Sequence, residues 1–273
     1  MGFSFFRRIR NAGGEIRGTQ VANYLGGRVD PQNGYEDDVC IYILGIMRYD
    51  SPEVRWSYYD VCDCGYARLQ RVRSRTKGGL IAISKSQFDY LKKVVPKREV
   101  YFIRQHHCNF KRELRPKRPV LTVGCCGGDA AVQWPHDRIK AILGQLGLQW
   151  MFLQELRNHQ RVVDFYKQLD IQLVYRPTHS RGMDMMIHGN PLKLSNASSF
   201  GIPTVAFPEP AFTAEWNNGE CLYCDGMNNA FSLIQKLKDE PAFYEDIAEK
   251  AKLKAEEYHI DNVAKLYREL PGA

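Results

Sequence analysis

Long apolar runs are missing from this sequence. The longest, from Val39 to Met47, falls far short of the ~20 residues that a membrane-spanning helix requires. The order of a secretory signal is missing too, because Arg7, Arg8 and Arg10 follow the N-terminal aromatics instead of preceding them. Met1-Gly2 begins as a myristoylation start does, but Phe6 stands where serine or threonine belongs. Cysteine is sparse. Eight in 273 residues are too few for a disulfide scaffold, and a chain of this length builds a core without such staples. Paired metal-ligand sets are absent as well: Cys221-x-x-Cys224 has no second C-x-x-C, and neither Cys62-x-Cys64 nor His106-His107-Cys108 supplies one at zinc spacing. These absences lead us to expect a reduced, cytoplasmic chain without a resident metal. The sequence also has no Asp-x-Asp triplet, G-x-G-x-x-G, Walker loop, internal repeat or low-complexity segment.

What is present has the balance of a globular protein. Hydrophobic residues make up 44% and charged residues 25%, which excludes disorder and coiled coil. The length suits about two domains. The net charge of +7 is uneven: residues 1–118 hold 23 Lys and Arg against 12 Asp and Glu, whereas 119–273 hold 15 against 19. A basic half and a mildly acidic half imply different partners, and the basic half suits an anionic one: a phospholipid surface, a nucleic acid or an acidic glycan.

The stretch Arg112–Pro119 is charged, carries two prolines and reads as a linker. Before it, 38–44, 79–84 and 99–104 are short apolar runs suited to buried parallel strands. Helical patterns span 14–25 and 86–93. After it the alternation is regular, with strands over 120–123, 148–153, 171–175 and 203–207. Helices are expected over 137–146, 162–169, 192–200, 228–238, 241–258 and 260–270. Strand–helix alternation with short connections implies parallel sheets covered by helices. The fold class is therefore α/β. We expect domains at 1–115 and 116–258, with a last helix at 259–273 returning onto the first.

The most informative segment runs from Asn190 to Glu209. A short helix carries Lys193, Ser195 and Asn196 in its first turn, followed by small residues, Gly201-Ile-Pro203 and a buried strand that ends at Glu209. A helix N-terminus offers free N–H groups and the positive end of a dipole, which suit a phosphate. Gly124-Cys-Cys-Gly127-Gly128 follows the first strand of this half, where glycines permit close backbone approach. Arg176 and Arg181, after a later strand, are candidates for further positive charge.

These features resemble the nucleotide-sugar half of GT-B glycosyltransferases, most closely over 119–256. The resemblance implies two Rossmann-like domains facing across a cleft. It implies a donor site built from Gly127, Gly128, Arg176, Arg181, Lys193, Ser195 and Asn196, with Asn196 where relatives place the ribose-binding acid. Glu209 and Glu215 would orient the sugar. On the acceptor side it implies Gly13, Gly14 and Arg17, and His106 or His107 would assist proton transfer together with Glu209. Asp60 and Asp63 are weaker candidates, adequately explained as turn or cap residues. The implied activity is hexosyl transfer from a nucleotide diphosphate sugar, UDP among them, without an obligatory metal, to a large or anionic acceptor held by the basic half. Alternatives are a nucleotide-sugar hydrolase or epimerase of the same fold, or a non-enzymatic nucleotide or nucleic-acid binder. The basic half shows no helix-turn-helix, zinc-finger or RRM signature.

Overall fold

The computed structural model describes residues 2–7, 12–43, 54–62, 78–128, 131–154, 158–177 and 189–273. They form two compact units, one containing Met1–His106 and Ile260–Ala273 and the other containing His107–Ser180 and Pro191–His259.

The first unit is built on a six-stranded parallel sheet. Its strands are β1 (Phe3–Arg7), β2 (Arg28–Val29), β3 (Val39–Ile43), β4 (Trp56–Asp60), β5 (Gly79–Ala82) and β6 (Val100–Phe102), in the order β2-β1-β3-β4-β5-β6. All five residues of β3 are buried, as a strand covered on both faces requires. Helical segments are α1 (Ala12–Gly14), a π-turn over Glu15–Gln20, α2 (Val21–Leu25) and α3 (Lys85–Val94). Helix α3 begins one residue before the expected Ser86. Its cap is Ser84, whose hydroxyl accepts from the Gln87 N–H.

Strands β1 and β4 alternate over only three residues each, Phe3-Ser4-Phe5 and Trp56-Ser57-Tyr58, too few to mark them in the sequence. Their side chains are aromatic, and their place is decided by ring packing across the sheet. Phe6 stacks on Tyr42 with centroids 5.0 Å apart, and Tyr42 on Tyr59 at 5.5 Å.

The second unit holds a five-stranded parallel sheet. Its strands are β7 (Thr122–Cys126), β8 (Gln149–Leu153), β9 (Ile171–Val174), β10 (Thr204–Ala206) and β11 (Leu222–Tyr223), in the order β11-β10-β9-β7-β8. The helices here are α4 (His136–Gln145), α5 (His159–Gln168), α6 (Leu192–Ser199), α7 (Pro210–Thr213), α8 (Met227–Asp239) and α9 (Pro241–Ala255). Gly201 closes α6 at φ +70°, a backbone that glycine adopts without strain. The last helix, α10 (Ile260–Arg268), belongs to the first unit. Its Val263 and Tyr267 join a core with Phe5, Ile41 and Ile81.

The contact division falls after His106, not within the charged stretch 112–119. That stretch is not a free linker. Arg115 and Arg118 both donate to Asp170 Oδ1, at 2.7 and 2.9 Å, and the Arg115 N–H donates to the Phe200 carbonyl. The other oxygen of Asp170 accepts from the N–H groups of Leu121 and Thr122. Burial by itself raises the Asp170 carboxyl, but the Leu121 N–H and the two guanidiniums outweigh it, and its pKa lies below the ordinary value. A carboxyl lowered on folding stabilises the fold above the unfolded value, about 4, and that contribution is lost as pH falls through the lower folded value. Asp170→Asn is therefore expected to lower stability at neutral pH by about 3 kcal/mol while flattening the loss on acidification. Urea unfolding followed across acid pH checks both.

Candidate functional site

Three neighbouring strands of the second unit end on one edge of its sheet. Val174 of β9 pairs with Ala206 of β10, and β9 also pairs with β7. Arg176 lies two residues beyond its pairing position and Glu209 three beyond its own, so both pass the carboxyl ends of adjacent strands. The Gly127-Gly128 turn passes the end of β7. Ligands of open α/β sheets bind at such strand ends.

The structure brings Arg176 and Glu209 into direct contact. Arg176 Nε donates to Glu209 Oε1 at 2.6 Å, and Nη2 donates to Oε2, a two-point ion pair. The Glu209 side chain is 1% exposed and that of Arg176 16%. The guanidinium also lies over the Phe212 ring of α7, 5.9 Å from its centroid.

Lys193, in the first turn of α6, approaches the glycine turn. A Cβ built on Gly127 would fall 3.0 Å from Lys193 Cε and 2.8 Å from the Ala131 Cβ, so only glycine leaves the lysine its path. The Gly127 N–H is already used, donating to the Leu153 carbonyl at 2.9 Å. Space around a Cβ at Gly128 is open. Gly127 therefore makes room, and Gly128 faces space a ligand can fill. Desolvation, followed by repulsion from Arg176, lowers the Lys193 pKa against the weaker attraction of Glu209. Burial pushes the Cys125 thiol up to about 11 and Cys126 to about 12, so neither is a thiolate near neutral pH.

Gln172 escapes a sequence reading, being one polar residue inside a buried strand. Its amide donates to the Lys193 carbonyl at 2.8 Å and to Thr204 Oγ1 at 3.1 Å, and its carbonyl accepts from the Tyr166 hydroxyl. This buried network fixes the start of α6 to the sheet. The signal, in hindsight, is a lone amide in an otherwise apolar strand run.

Other residues expected at the site have different partners. Ser195 is buried, and its hydroxyl donates to the Leu192 carbonyl of its own helix. Asn196 is buried, and its side-chain oxygen accepts from the Cys108 N–H at 2.9 Å. Glu215 is buried and accepts from the Tyr258 hydroxyl at 2.6 Å, which ties it to the segment following α9. Arg181 and Asp63 lie outside the described residues.

In the first unit, Gly13 and Gly14 are buried in α1 and do not form an open loop. Arg17 is wholly buried. Its guanidinium donates to Asp60 at 2.7 Å and to the carbonyls of Ile103 and Arg104, and it lies 5.6 Å from the Tyr267 ring centroid. Burial pulls its pKa down, but Asp60, Tyr267 and Cys62 outweigh this and leave it above the ordinary arginine value. Arg17 and Asp60 are thus a core ion pair, and Asp60 is a turn residue as well, its other oxygen accepting from the Cys62 N–H at 2.9 Å. His106 is buried with Nε2 on the Ile16 carbonyl at 3.0 Å. His107 is buried too, its N–H donating to the Tyr258 carbonyl and its Nδ1 accepting from the Asn109 N–H. Both rings therefore hold the backbone.

Among the described residues, no group of three or more His, Cys, Asp or Glu is placed to hold a metal ion. No described helix is long and apolar enough to cross a membrane.

The chain has the α/β fold of GT-B glycosyltransferases, with two parallel sheets flanked by helices. It is similar to HepE from Anabaena, solved in complex with UDP, at 11% identity and TM-score 0.63, over 98% of this chain and 99% of that one. It is also similar to WaaG, a glycosyltransferase involved in lipopolysaccharide biosynthesis, at 11% identity and TM-score 0.58, over 96% and 97%. The likeness to TarM, at 13% identity and TM-score 0.56, covers 85% of this chain, which spans only 54% of TarM's length. No protein-family model and no curated protein matches the sequence.

Proposed function

We propose that this chain is a hexosyltransferase that takes its sugar from a nucleotide diphosphate donor. The observation that carries the reading is the placement of two cations, Arg176 and Lys193, beside a glycine turn at the carboxyl ends of adjacent strands. Cleaving the bond between sugar and diphosphate leaves negative charge on the departing phosphate. Cations placed beside the departing phosphate stabilise that charge. Arg176 offers two parallel donors to phosphate oxygens, and Lys193 offers a point charge. In this reading the two side chains and the open Gly128 backbone balance the diphosphate without an obligatory metal. Complexes of similar structures with UDP make UDP sugars the first donors to try.

Residues 1–106 hold 18 Lys and Arg against 11 Asp and Glu, and this basic surplus supports an anionic or large acceptor on the first unit: a glycan, a lipid-linked sugar or a nucleic acid. The buried histidines give no reason to place a proton-transferring base at 106 or 107.

A thermal-shift screen with UDP-, GDP-, ADP- and CMP-sugars tests the donor half. A ligand at a hundred times its Kd stabilises the fold by about 2.7 kcal/mol and raises the melting temperature. A UDP sugar is expected to give the largest shift, and no shift from any of them would overturn the reading. Transfer is expected to be faster to polymeric or lipid-linked acceptors than to free monosaccharides. Consumption of the nucleotide sugar in the absence of any acceptor would mark a hydrolase or epimerase instead.

A further inference from the structure

Glu209 is an anion in the place where the proposed function puts another anion. Its carboxylate is 1% exposed, engaged at both oxygens by Arg176, and it attracts Lys193. A carboxylate gripped in this two-point manner offers a guanidinium the same pair of acceptors that a phosphate does. Arg176 and Lys193 repel each other, and two half-buried cations side by side need a counter-charge when no ligand is bound. Glu209 supplies it. We propose that Glu209 is a resident counter-anion of the phosphate subsite, one that must yield Arg176 to an incoming nucleoside diphosphate and that sets which diphosphate the site retains.

This inference rests on the donor reading above and adds a consequence to it. Once displaced, the carboxylate stays beside the phosphates, because its backbone is fixed at the end of β10. Its charge then opposes negative charge in the ligand. A nucleoside diphosphate freed of its sugar carries one more negative charge than the nucleotide sugar. Glu209 therefore weakens the spent product more than the donor and favours its departure. In this role Glu209 acts on the phosphates through its charge and its ion pair with Arg176, and a residue that orients the sugar acts through hydrogen bonds to sugar hydroxyls.

The test is calorimetric titration of the whole chain with UDP and with UDP-glucose, for the wild type and Glu209→Gln. The expected result is UDP binding tightened about tenfold or more by Glu209→Gln, with a smaller gain for UDP-glucose. UDP binding to the wild type that is unchanged or weakened in Glu209→Gln overturns this inference and leaves the donor reading intact. Binding of UDP to neither protein overturns the donor reading, and this inference falls with it. Should Glu209→Gln melt far below the wild type, Glu209→Asp serves. It keeps the charge but shortens the reach to Arg176, and a gain in UDP affinity is again expected. A loss there counts against the counter-anion role.

Discussion

Replacing Lys193 by methionine is expected to slow sugar transfer about 100- to 1,000-fold, the range seen when one preorganised stabiliser of developing charge is removed. Methionine keeps the length and apolar stem that pass Gly127, so the change isolates the charge. The fold should not suffer. Lys193 bears a desolvation cost and repulsion from Arg176 that outweigh the attraction of its neighbours. Removing the ammonium relieves both, so the melting temperature without ligand is expected to hold or rise. Binding of the nucleoside diphosphate should weaken by about 1.5–3 kcal/mol, the worth of a hydrogen bond to a charged group. Steady-state rates, a titration and a melt on the same preparation check the three parts. Wild-type turnover in this variant would remove the site from α6.

The second large effect lies far from the donor chemistry. Arg17→Ala is expected to destabilise the first unit by about 3–5 kcal/mol, because it leaves the carboxylate of Asp60 buried without its cation. Both side chains are fully buried, and the guanidinium also serves the carbonyls of Ile103 and Arg104. A loss of that size is a large share of the roughly 5–15 kcal/mol by which domains are stable. Replacing both charges together, as Arg17→Met with Asp60→Leu, should recover much of the loss, since an apolar pair carries no uncompensated charge. Urea melts of the single and double variants measure the difference. If Arg17 instead contacts an acceptor, Arg17→Ala would alter acceptor KM and leave the melt unchanged.

Much of the fold was legible because parallel sheets leave a local mark. Ile171–Val174 and Thr204–Ala206 are buried on both faces, and strands of that kind read as largely apolar runs. The helices between them announce themselves by a glycine stop at Gly201 and by amphipathic spacing. Strands β1 and β4 left no such mark, since aromatic rings and a buried Asp60 satisfy the same space by different chemistry. The stretch 112–119 misled for a related reason. Prolines and charges suggest a free linker, yet Arg115 and Arg118 are claimed by Asp170, about fifty positions later.

The candidate site was legible in part. Lys193, Gly127 and Gly128 were marked by helix start and glycine turn, and the structure brings Lys193 against Gly127. Ser195, Asn196 and Glu215 were marked by type and order alone, and their hydrogen bonds go to the Leu192 carbonyl, the Cys108 N–H and the Tyr258 hydroxyl. A polar residue in a helix start looks the same in sequence whether it faces a ligand or a neighbouring backbone.

Local composition alone determined that this chain alternates strand and helix, separates a basic half from an acidic one, and carries a glycine turn after one strand and a lysine at a helix start. Which charge meets which was decided only by the tertiary structure. Arg17 finds Asp60 across 43 positions, and Arg176 finds Glu209 across 33. Those pairings follow from strand order in the sheet and from which carboxylate burial leaves without water, and neither is encoded in any short stretch of residues.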